Sequence, residues 1–186
     1  MRRFAILVAL SFVVLGCSEE GRNPFLVRVA QINEGNAIQA DVFNNVTNTI
    51  PEDIIKIIFT NFLFGQDTES LTDPTSFVYD FQVKTYSVTW RRVDGGPTSG
   101  AGWTLSDFNF TGAVTALVPA NGAAEVGIIL VPAGMLTQAP FVNALAGEDF
   151  QMVADIMFIG SPASDLSGEV QVPASVSVSI ADFANQ

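Results

Sequence analysis

The residue types that carry most protein chemistry are scarce in this sequence. Its 186 residues include no histidine. That removes Ser-His-Asp and Cys-His catalysis in their usual forms, and every histidine-based zinc, copper or iron site. Cys17 is the lone cysteine, so the chain cannot form an internal disulfide. Lys56 and Lys84 are the only lysines, and both fall at strand positions. The glycines Gly95-Gly96 and Gly100-Ala101-Gly102 lack the lysine and the strand-to-helix setting of a phosphate-binding loop. Carboxylates are plentiful. Glu52-Asp53 and Glu148-Asp149 are adjacent pairs, and glycoside hydrolysis needs two carboxyls about 5–10 Å apart across a cleft. Nothing else in the pattern supports a carboxylate-based hydrolase, and the expectation is that the protein is not an enzyme. Calcium is the better fit among chemical roles, because it takes several loop oxygens. Asp67, Glu69, Asp73 and Asp80 could supply them. They lack the spacing of a known calcium loop, so a solvated acidic loop is the plainer account. Trp90, Trp103, Phe108 and Phe110 flank the Gly-rich stretch. Core packing accounts for most of them. Trp103, if exposed on a loop end, would mark a contact surface.

The elements that must position these residues read as strands. Phe25 to Ile32 alternates, and Ala37 to Phe43 is a weaker second strand. From Ile54 to Phe64, Ile55, Ile57 and Phe59 share one face, at a density of β-branched residues that favours strand over helix. Within Phe77 to Val93, Gln82, Lys84, Tyr86, Val88 and Trp90 are expected on one face. Trp103 to Val118 reads as the next strand, with Gly112 as an irregularity. Pro119-Ala120-Asn121-Gly122 is a turn, and Ala124 to Val131 has the character of a strand buried on both sides. Pro132, Gly134 and Pro140 limit Pro132 to Leu145 to a turn or two of helix. Phe150 to Ile159 is another strand. In the last one, Val170, Val172, Ala174, Val176, Val178 and Ile180 fall opposite serines and Pro173. Pro173 belongs at a sheet edge or a bulge. Seven or eight short strands with Gly/Pro/Asn/Asp turns predict an all-β protein. The expected form is a single immunoglobulin-like antiparallel β-sandwich over residues 25–186, without the inter-sheet cysteine pair of true immunoglobulin domains.

The N-terminus has a different design. Arg2 and Arg3 precede an apolar run from Phe4 to Leu15, too short to span a bilayer. Val14-Leu15-Gly16-Cys17 resembles the lipobox of bacterial lipoproteins, in which a small residue precedes an invariant cysteine. The resemblance covers the first 18 or so residues. It implies a signal peptide over 1–16, cleavage between Gly16 and Cys17, and a lipid on Cys17. Two or three acyl chains hold a protein on a membrane where one binds only marginally. By the sorting rule of enteric bacteria, Ser18 favours the outer membrane. Residues 17–24 would be the lipidated N-terminus and a short tether.

Without residues 1–16, six basic residues face 19 acidic ones, a formal net charge of −13. Nucleic acid is excluded as a partner, since phosphate binding needs a basic patch. An anionic membrane would repel the body, so attachment must come from the lipid. No cofactor is implied. The expected function is a lipid-anchored envelope protein that binds another envelope protein. The alternative is a small-ligand or carbohydrate binder, with calcium as a possible aid.

Overall fold

In a computed structural model, the described residues are 25–44, 46–63, 79–164 and 168–183. Cys17, Gly16, Asp67, Glu69 and Asp73 lie outside them. The chain is all-β, and eight strands build a sandwich of two sheets. The small sheet has the order β1 (Phe25–Ile32), β3 (Asp53–Leu63), β8 (Ala123–Val131). The large sheet runs β2 (Ile38–Asp41), β10 (Val170–Ala181), β9 (Phe150–Pro162), β4 (Phe81–Arg92), β7 (Phe110–Val118). Two further two-residue strands, β5 (Ser99–Gly100) and β6 (Trp103–Thr104), form a small hairpin after β4.

This order places β1, β3 and β8 at the A, B and E positions of an immunoglobulin-like sandwich, and β4, β7, β9 and β10 at C, C′, F and G. In true immunoglobulin domains a disulfide joins strands B and F. Here Phe59 of β3 meets Phe158 of β9 edge-to-face, with centroids 4.9 Å apart, and both rings are fully buried. Aromatic packing thus links the two strands that a disulfide would otherwise join. Tyr86 adds a polar link. Its hydroxyl donates to the Ile129 carbonyl of the opposite sheet at 2.9 Å. Its ring occupies the space above Gly112, where any Cβ would collide with it. The ladder stays in register at Gly112, which pairs with Tyr86, so the glycine serves this close approach and not the irregularity expected there.

Where alternation is regular, the strands follow it. Ile55, Ile57 and Phe59 are buried, and the β10 face of Val172, Val178 and Ile180 enters the core. Pro173 sits in the part of β10 that lacks a neighbour on one side, because β2 pairs only with Val178–Ala181. Four further expectations need correction. The β2–β10 pairing is parallel, so the sandwich is not purely antiparallel. In β4 an irregularity between Val83 and Thr85 shifts the alternation by one. Phe81 and Val83 point inward before it and Tyr86, Val88 and Trp90 after it, leaving Gln82 and Lys84 on the wet side. Trp103 to Val118 is not one strand. After β6 the chain makes a 3-10 turn, Leu105–Phe108, held by an Asp107 carboxylate that accepts from the Thr104 amide at 2.6 Å. Last, β8 is an edge strand with only its final part buried, not a strand buried on both sides. Between β8 and β9 the helical content is a single turn, α1 (Ala133–Leu136), and a 3-10 segment, Phe141–Ala146.

Candidate functional site

The strand directions give the sandwich two unlike ends. The chain enters at Phe25, which pairs with Leu63 at the end of β3. Around this near end lie the Pro119–Gly122 turn and the starts of β4 and β10. It is tied by neutral groups. The Asn61 side-chain amide donates to the carbonyls of Tyr79 (2.8 Å) and Val118 (3.4 Å), and the Leu63 amide donates to Asn121 Oδ1 at 3.0 Å. Asn61 is fully buried, and its Oδ1 finds no partner. Asp80 is the carboxylate exception among these ties. Its carboxylate accepts from the Ala120 amide at 2.9 Å, and its carbonyl accepts from the Ala163 amide at 2.7 Å. Asp80 therefore anchors a turn. Among the described residues no group of three acidic or thiol side chains is placed to hold a metal.

The far end is built from rings and charges. Arg92, the last residue of β4, donates from Nε to Asp94 at 2.6 Å and from Nη1 to the Pro97 carbonyl at 3.1 Å. Its guanidinium lies 4.7 Å from the centroid of the Phe150 ring. Asp94 also accepts from the amides of Gly96 (2.9 Å) and Gln151 (3.2 Å). The Arg92 hydrogen bond, helped by these amides, holds the Asp94 carboxyl at about 2. Behind this latch, Phe108, Phe141 and Phe150 stack edge-to-face in a row, and Trp90 Nε1 donates to the Phe108 carbonyl at 3.1 Å.

Trp103 stands in the far-end hairpin. It is half-buried, packs against the core and covers Gly100, where a Cβ would come within 2.6 Å of its indole nitrogen. It is a brace for the hairpin with one edge in solvent. The two acidic pairs are also at this end. Glu52 is exposed. Asp53 is half-buried, and its Oδ2 has no partner. Burial, with the nearby Asp41 charge adding to it, raises the Asp53 carboxyl to about 6. Asp149 takes hydrogen bonds from the Gln151 amide group and the Ser179 hydroxyl at 2.9–3.1 Å.

What the sequence does not reveal is where apolar side chains stay exposed. Among the described residues seven large ones do: Leu26, Val46, Ile54, Phe62, Val93, Leu117 and Leu145. Val46, Ile54, Val93 and Leu145 lie at the far end, with Val46 81% exposed. Exposed Glu52, Asp107, Glu148, Asp149 and Asp182 stand on the same end, and the two arginines that close β4, Arg91 and Arg92, are already engaged by Asp155 and Asp94.

Two open clefts lie away from both ends. One, of about 590 Å³, separates the end of β1 from the unpaired part of β10 and is lined by Val29, Ile32, Asn36, Ala174, Val176 and their neighbours. No lining residue is charged. The other, of about 530 Å³, lies on the outer face of the large sheet beside Ser87, Thr89, Asp155 and Ser175. Neither is bordered by Asp41, Asp53 or Trp103. No helix among the described residues is long and apolar enough to cross a membrane. No family model matches this sequence, and no curated protein matches it either.

Proposed function

We propose that this chain is a lipid-anchored protein of the bacterial cell envelope, and that its sandwich is a non-enzymatic protein-binding or assembly module. The lipid sits on Cys17 after cleavage behind Gly16, and Ser18 puts the outer membrane ahead of the inner. One observation carries the binding role. The chain enters the sandwich at the near end, and at the opposite end four of the seven exposed large apolar side chains stand among exposed carboxylates, the other three lying near the point of entry. Apolar groups ringed by charges are the anatomy of a protein contact. The acidic rim would also be repelled by an anionic bilayer, which turns that end outward.

Cross-linking in native cells, followed by recovery of the protein from solubilised envelope, tests this reading. Wild-type protein is expected to bring one stoichiometric partner. A Val93→Glu, Leu145→Glu variant should lose it, and Leu117→Glu at the near end should keep it. Cys17→Ala should leave the membrane fraction. A partner that survives the far-end substitutions sinks the assignment. If no partner appears, the uncharged cleft between β1 and β10 favours a second reading, a small neutral ligand. That cleft contains no carboxylate to recruit calcium.

A further inference from the structure

The near end has an apolar feature of its own. Leu26 of β1 and Phe62 of β3 are directly paired across strands on the outer face of the small sheet. They are 44% and 41% exposed. Arg28, two residues along on the same face, places its guanidinium 4.9 Å from the Phe62 ring centroid and donates from Nε to Thr60 Oγ1 at 3.4 Å. No carboxylate among the described residues pairs with it. Farther along this face, Lys56 is matched by Glu125 at 3.4 Å. The corner is therefore a leucine, an aromatic ring and a guanidinium without a carboxylate partner among the described residues, side by side.

We propose that this corner is a foot that rests in the headgroup region of the bilayer, with Leu26 and Phe62 entering the interface and Arg28 meeting lipid phosphates. The inference rests on the lipid anchor at Cys17. Seven residues, Ser18 to Pro24, separate that anchor from β1. A segment of that length reaches at most about 25 Å even when fully extended. Leu26 is the second residue of the strand that the segment enters, so the corner is held at the membrane surface. Tethering makes its contact intramolecular, at an effective concentration of order mM, so two side chains too few to bind a membrane alone are enough to be seated. Aromatic rings and arginines favour this depth, because each has an apolar body and a polar part that stays hydrated. The occupant is lipid, since lipid is what the preceding segment leads to.

The test uses the full-length protein, purified from membranes and reconstituted in vesicles of phosphatidylethanolamine and phosphatidylglycerol. With the Cys17 thiol blocked by lipid, Leu26→Cys, Phe62→Cys and Leu145→Cys each offer a single thiol for a nitroxide label. Intact mass reports lipidation separately. At positions 26 and 62, collisions with oxygen should exceed collisions with a water-soluble nickel chelate by several-fold relative to position 145. That preference should fall when Arg28→Glu is added. Acylated protein with equal accessibility at all three positions overturns the foot and leaves the anchor standing. Unmodified mass overturns both. Protection that persists in detergent alongside a co-purifying protein assigns the pair to a protein contact and also overturns the foot.

Discussion

The two ends of the sandwich close the same kind of structure by different means. At the near end the loops are fastened by uncharged groups, chiefly the Asn61 amide and the Pro119–Gly122 turn. At the far end they are fastened by a row of three phenylalanines and an Arg92–Asp94 pair with side chains only 12% and 18% exposed. The hydrogen bonds made by Asn61 and Asn121 should be indifferent to pH over the range where carboxylates titrate. The far end should not. A surface meant for a partner gains from loops that hold one shape, and the far end spends both rings and charges on that rigidity.

The largest expected effect tests the aromatic half of this contrast. Phe141 is fully buried between Phe108 and Phe150. Phe141→Ala should cost about 3–5 kcal/mol in denaturant unfolding, with the hairpin amides losing exchange protection before those of the near end. A uniform loss of protection across both ends would mean that they are not separate units. Asn61→Ala tests the neutral half. It strips hydrogen bonds from two carbonyls but also removes the orphaned Oδ1, so about 1–3 kcal/mol is expected, with the same value at acid and neutral pH. The smallest effect belongs to the far-end carboxylates, which titrate with opposite signs. Asp94 in the folded state lies below its ordinary 3.8, so its contribution is present above that value and is lost as pH falls through about 2. Asp53 lies above 3.8, at about 6, so it opposes folding as pH rises through that range. Asp53→Asn should therefore raise Tm near neutral pH and leave it unchanged near pH 4. A gain at both pH values would remove titration as the cause.

Much of this architecture is legible in the sequence, and the exceptions share a cause. β3 and β10 announce themselves because each buries one face, and a period of two follows directly. β4 misleads because an extra residue near Lys84 reverses the faces, and a bulge leaves no mark in composition. The parallel β2 is four residues long, too short for any pattern to reveal its partner. The Trp103–Phe108 segment reads as strand because its aromatics are buried, but a 3-10 turn buries them as well as a strand does. For the candidate surface, the sequence offers carboxylates and Trp103. It cannot show that Val46 and Leu145 stay exposed, since exposure is decided by what fails to pack on them. Asp80 is the reverse case. A carboxylate that looks free for an ion is spent on the Ala120 amide.

The pairing of Ile38 with Val178 has a consequence for how this molecule comes to exist. A contact between residues nearly a chain length apart carries a large loop-closure entropy and gains nothing until its partner has been made. The short strand that follows β1 must therefore wait, with its backbone unpaired, until β10 is available. The sandwich cannot be completed from its first residues onward. It is sealed only when its final strand arrives, so loss of the last dozen described residues would remove the partner of the strand made near the start.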